Sequence, residues 1–167
     1  MIMAKRIVTK IGDIFSVTLD NGNLRFFQYI ANDITQLNSP VIRVFNNEYP
    51  TEYEVNPLEV VNDEVDFYAH TMLRWGITDG AWQKVGKCHD VGNTENIMFR
   101  MYRVDAPDHK DRIWHAWYIN KEWFIIGKLT EDYRNKSDIG LVFPYKDIVS
   151  RIKKGIYPGT MFWSEEH

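Results

Sequence analysis

The chain is poor in the features that usually announce a chemistry. It has one cysteine, Cys88, so no internal disulfide can form and a reducing, cytoplasmic compartment is expected. No stretch approaches the roughly 18 apolar residues needed to span a bilayer, so no membrane association is expected. The segment from Met1 to Lys10 carries charges with no apolar run behind them, so a signal peptide is not expected either. His-x-His, His-Glu-x-x-His and Cys-x-x-Cys pairs, the spacings that gather metal ligands, are all missing. So are a Gly-x-x-x-x-Gly-Lys loop, a dinucleotide fingerprint and a Gly-x-Ser-x-Gly elbow, and no cofactor is expected. Repeats and linker-like runs are lacking too, which predicts a single domain over residues 1–167.

What is present first is a charge asymmetry that the formal net charge of −3 conceals. Between Val44 and Leu73 there is no Lys or Arg, yet Glu48, Glu52, Glu54, Glu59, Asp63, Glu64 and Asp66 all fall there. A solvated face of an acidic protein is the plain explanation. The functional one is a surface that steers a basic partner, an effect worth about 10 to 1,000-fold in association rate at low salt. Tyr53 and Tyr68, with Tyr49 and Phe67, would add the aromatic anchors that charge alone lacks. The C-terminal stretch is opposite in sign, with Lys146, Arg151, Lys153 and Lys154. Four cations on an acidic chain are a poor footprint for nucleic acid, and none is expected as a partner.

Local patterns predict an α+β fold: a mostly antiparallel, strongly twisted sheet or partial barrel, with a short middle helix and an amphipathic C-terminal helix. Residues 11–31 read as an N-terminal β-hairpin with Asn21-Gly22 as a two-residue type I′ loop. That register opposes Leu19 to Leu24, Val17 to Phe26 and Phe15 to Gln28, with the base of the hairpin covered on both sides. Val41 to Phe45 reads as a third strand. Asn56-Pro57-Leu58-Glu59 starts the middle helix, with Asn56 as cap, Pro57 in the first turn and Glu59 at the capping-box position. Val65 to Trp75 alternates as one long strand, followed by a helical turn or loop over Gly76 to Gly86. Ile97 to Arg103, Arg112 to Ile119, Trp123 to Ile126 and Asp138 to Val142 read as further strands. Tyr145, Ile148, Val149 and Ile152 form the stripe of a helix begun by Pro144 and ended by Gly155.

Candidate catalytic groups are sparse. Cys88-His89-Asp90 has the composition of a nucleophile with its base, but adjacent residues on an extended loop point apart. His70 or His115 would have to reach Cys88 through space. Asp105, Asp108, His109 and Asp111 crowd one loop, where a hard cation is conceivable and a solvated turn is the simpler expectation. His115, between Trp114 and Trp117, is expected on the sheet face opposite Trp114, as a hydrogen-bonded surface histidine.

Lys10-Ile-Gly-Asp-Ile-Phe-Ser-Val, the Asp-Asn-Gly turn and the return strand Phe-Phe-Gln-Tyr-Ile together resemble the start of the immunity protein 26 family. Val65-Asp-Phe-Tyr-Ala, Ile139-Gly-Leu-Val and Asp147-Ile-Val-x-Arg-Ile-Lys are compatible with its longer members. The resemblance implies a non-enzymatic binding protein of bacterial polymorphic toxin systems, one that docks onto a toxin domain, here expected to carry a basic surface. It supplies no catalytic residues to carry over. Some relatives bear a phosphotriesterase label, so a small hydrolase with an unrecognised site is one alternative; a housekeeping interaction module is another.

Overall fold

The computed structural model describes residues 5–103 and 112–158. Among the described residues ten strands form two sheets, accompanied by four helices. The first is ordered β10-β4-β3-β2-β1-β5 and the second β8-β7-β6-β9. In chain order the strands are β1 (Asp13–Thr18), β2 (Leu24–Asp33), β3 (Ser39–Phe45), β4 (Val65–Thr71), β5 (Gln83–Lys87), β6 (Met98–Tyr102), β7 (Trp114–Tyr118), β8 (Phe124–Gly127), β9 (Ser137–Ile139) and β10 (Val142–Phe143). The helices are α1 (Pro57–Val61), α2 (Leu73–Thr78), α3 (Glu131–Lys136) and α4 (Tyr145–Lys154). The α+β class and the largely antiparallel twisted sheet are as expected, and each sheet remains open.

The hairpin lies where the sequence puts it, but one residue out of the predicted register. Phe15 opposes Phe27, Ser16 opposes Phe26 and Val17 opposes Arg25. The Leu19 N–H donates to the Asn23 carbonyl at 2.8 Å and the Gly22 N–H to the Leu19 carbonyl at 2.9 Å, which makes a three-residue loop. Gly22 alone takes a positive φ there, +87°, whereas a type I′ turn needs Asn21 to do so as well. The hydrophobic pattern could not expose the slip, because β2 is buried on both faces from Arg25 to Ile30. On one face Phe15 stacks on Phe27 at 5.1 Å and, with Ile42, Val44, Phe67 and Trp82, meets α4 through Ile148 and Ile152. On the other, Ile14 and Phe26 meet Val60 and Val61 of α1, while Ile30 and Val41 meet Phe99 and Trp117 of the second sheet.

Three further expectations are corrected. The long strand ends at Thr71, and Leu73 to Thr78 is helical, because Leu73 and Trp82 must be folded into the core beneath α4. Gly76 admits this packing, since a Cβ there would lie 2.1 Å from the Trp82 ring. Gln83 to Lys87, which begins inside the helical turn or loop expected over Gly76 to Gly86, instead pairs with β1 as an edge strand. The single strand over Asp138 to Val142 is two strands in different sheets: β9 pairs parallel with β6, and β10 pairs parallel with β4. The chain crosses between sheets at Gly140, where a Cβ would come within 2.0 Å of the Trp117 ring.

Asp33 ties the two sheets together. Its buried carboxylate accepts from His70 Nε2 at 2.8 Å, Trp117 Nε1 at 2.8 Å and the Asn120 N–H at 3.1 Å. Burial alone would raise its pKa, but these donors outweigh burial and hold it below the usual carboxylate value. A depressed folded pKa stabilises the fold above the unfolded carboxylate range, and that contribution is lost as pH falls through the folded value. Asp33→Ala leaves His70 and Trp117 without their acceptor and is expected to lower stability by about 3–5 kcal/mol in urea denaturation at pH 7. The loss should shrink as the pH is taken below the folded pKa.

Candidate functional site

The acidic segment folds into a platform over the tip of the hairpin. Tyr49 makes a two-way backbone bridge with Leu24, at 2.7 and 2.9 Å. The Glu48 carboxylate accepts from Asn21 Nδ2 and Asn23 Nδ2 at 2.8 and 2.9 Å, and these bonds depress its pKa. Thr51 Oγ1 donates to the Gly22 carbonyl. Beneath, Phe26, Tyr49 and Tyr53 form an aromatic cluster in which the two tyrosine rings lie 4.2 Å apart. The Asn56 side chain caps α1 by accepting from the Leu58 N–H. Glu59 completes the cap indirectly: Tyr53 Oη takes the Asn56 N–H and donates to Glu59 Oε2 at 2.7 Å. Asp63 accepts from Asn47 Nδ2 and Tyr49 Oη. Burial and the neighbouring Asp63 push the Tyr49 hydroxyl well above its ordinary pKa.

These bonds divide the predicted binding residues into groups. Glu48 is bonded to Asn23, Asp63 to Tyr49 and Tyr53 to Glu59, and these bonds fix the platform's shape. Glu52, Glu54 and Glu64 project into solvent, their carboxylates with no hydrogen-bond or ion-pair partner among the described residues. Leu58 adds an exposed apolar side chain to the same segment, 66% accessible. Asp66 and Tyr68 are not part of the platform. Asp66 pairs with Arg25 at 2.9 Å, and Tyr68 lies on β4 beside a cleft.

That cleft, of about 830 Å³, results from the crossing at Gly140. β10 covers only His70 and Thr71 of β4, and β9 has joined the other sheet. The edge of β4 is instead bridged by a side chain, with Asp138 Oδ2 accepting the Tyr68 N–H at 3.3 Å. Arg100 from β6, Arg134 and Lys136 from α3, and Arg151 and Tyr157 at the end of α4 complete the walls. Arg151 lies over the Phe67 ring at 3.9 Å and the Tyr157 ring at 4.7 Å, and reaches Asp138 at 3.6 Å. Burial raises the Asp138 carboxyl to a pKa of about 6, against the opposing pull of Arg151, the Tyr68 N–H and Arg100. No sequence pattern pointed to Arg100, Asp138 and Tyr157 as a group, because only the split between β9 and β10 brings them together.

The candidate catalytic groups are dispersed. The Cys88 side chain packs on the Ile14 and Phe26 cluster, and its backbone bonds Gly12 and Gln28. His89 and Asp90 face solvent, with Asp90 closing a turn onto Gly92. His70 is held by Asp33. His115, on the face opposite Trp114, stacks on Trp117 and meets Trp123 at a tilt, and burial lowers its pKa. Among the described residues no three His, Cys, Asp or Glu side chains group as metal ligands, and the acidic loop Asp105 to Asp111 lies outside those residues. No described helix is long and apolar enough to cross a membrane.

A carboxyl pKa raised from 3.8 to about 6 favours the fold fully below the unfolded value, and that contribution is lost as pH rises through 6. Asp138→Asn keeps an oxygen for the Tyr68 N–H and removes the buried charge. It is expected to raise stability at pH 7.5 by as much as about 3 kcal/mol, with the gain vanishing near pH 4. Chemical denaturation across that pH range measures it.

A family model described as Immunity protein 26 matches residues 10–113. Neither the curated proteins nor the solved structures include a match.

Proposed function

The chain belongs to the immunity protein 26 family, and from that premise we propose that it neutralises a toxin domain by direct docking, with the acidic platform as its contact surface. The observation that supports this reading is the division of labour among the carboxylates. Glu48, Glu59 and Asp63 are consumed in holding the platform, while Glu52, Glu54 and Glu64 are left exposed on a segment that contains no cation. A surface already fixed before contact loses little conformational entropy on binding. Its unpaired charges accelerate encounter with a basic partner, and Leu58 supplies an apolar anchor that slows departure. Occluding the toxin's working surface is sufficient, with no reaction required of this chain. The function and the cytoplasmic setting proposed here agree, since the toxin acts where its inhibitor resides.

Co-expression with the product of the neighbouring gene, followed by pull-down and growth rescue, tests the docking itself. Absence of both complex and rescue would sink it. Glu52→Lys, Glu54→Lys and Glu64→Lys combined should slow association about tenfold or more at low salt and leave the fold intact. Leu58→Ala should act on dissociation instead, at a cost of about 1 kcal/mol or more. Association rates unchanged by the triple reversal at low salt would return the platform to an ordinary solvated surface.

A further inference from the structure

We propose that the cleft at the edge of β4 is a binding site for a small organic anion, an apolar body carrying a carboxylate or phosphate head, distinct from the acidic platform. Its size suits such a ligand, since small-molecule sites run from about 300 to 1,000 Å³, and this one is about 830 Å³. Its charge has the sign opposite to the platform's. Arg100, Arg134, Lys136 and Arg151 line it, with Lys136 paired to Asp132 at 2.7 Å and Arg100 bonded to Ser137, against Asp66 and Asp138. Asp66 is committed to Arg25 at 2.9 Å, which leaves Asp138 as the acid within reach of Arg151.

Arg151 is placed to receive the head. A tight guanidinium–carboxylate pair closes to roughly 2.7–2.9 Å, whereas Arg151 and Asp138 stand 3.6 Å apart. The guanidinium plane is backed by Phe67 and Tyr157, an arrangement that fixes its donors in direction. Beside it, the buried Tyr157 hydroxyl finds no acceptor among the described residues, the polar group facing it being the Arg151 guanidinium, itself a donor. A buried hydroxyl proton without an acceptor is destabilising, and an anionic oxygen beside Arg151 would give it one. Ile97, Ile139 and Ile156 provide apolar wall for the body of the ligand. Both sheets and two helices contribute to these walls, so the site is held by the fold rather than by a loop. Much of it, α3, β9 and α4, lies beyond the stretch that matches the family.

The test needs no toxin, so its outcome is independent of the docking proposal. Phenyl phosphate, benzoate and neutral benzyl alcohol are titrated against the full chain at matched ionic strength, read by thermal shift and equilibrium binding. A saturable rise in Tm is expected with phenyl phosphate or benzoate and not with benzyl alcohol, the tighter of the two anions identifying the head group. Arg151→Gln should weaken that anion at least tenfold. Tyr157→Phe should weaken it severalfold while raising the Tm of the unliganded protein, a combination that a purely structural tyrosine would not give. Glu54→Lys, on the platform, should leave probe binding unchanged. Anions that stabilise no better than benzyl alcohol, or an Arg151→Gln protein that is folded and binds as wild type, would overturn the assignment.

Discussion

The architecture depends on one buried carboxylate. Asp33 ends β2 in the first sheet, yet two of its three donors come from the second sheet's chain, Trp117 on β7 and the Asn120 N–H in the turn that follows it. The third, His70, comes from β4, so the carboxylate fixes the sheets to each other and the far side of the first sheet to its middle. Apolar contact between Val41, Ile30, Phe99 and Trp117 supplies the area buried between the sheets. Such contact is non-directional and does not by itself choose an angle or an offset. Hydrogen bonds of fixed geometry at one corner make that choice, and the Trp117 ring then leaves room for glycine alone at position 140.

From there the two surfaces follow. Because the chain must cross between sheets at Gly140, β9 and β10 part company and the edge of β4 is left to a side chain, Asp138. A cleft opens at that edge. The platform arises where the chain leaves Phe45 at the end of β3, folds back over the hairpin tip and returns through α1 to β4. One surface is acidic and built on edge-to-face and tilted aromatic packing; the other gathers arginines at a sheet edge. Segregation of charge along the sequence has become segregation of charge in space.

The sequence made some of this legible, and the limits are physical. Asn56-Pro57 located α1, and Pro144 with Gly155 bracketed α4, because caps and breakers act over a few residues. The hairpin turn was legible but its register was not, since a strand buried on both faces carries no alternation to set it. The helix at Leu73 hides in an alternating pattern that tertiary packing overrides. Thr130 ahead of Glu131 and Asp132 was a usable signal for α3, with the Thr130 hydroxyl accepting from the Tyr133 N–H. For the sites, the acidic segment was plain as composition, but which carboxylates are spent on structure required the bonds to Tyr53, Tyr49 and the two asparagines. The cleft had no local signature, as its walls come from residues far apart in the chain.

The late parallel strands also set when this protein can finish folding. β1 to β4 are contiguous hairpin neighbours, but β9 reaches back to β6, β10 reaches back to β4, and Arg25 waits for the Ile152 carbonyl 127 residues further on. A nascent chain emerging from the ribosome therefore holds an incomplete first sheet until its last quarter is made. At about 5–20 residues per second that interval lasts several seconds. Completion comes late by topology, and the time to a competent molecule is governed by α4 rather than by the N-terminal hairpin.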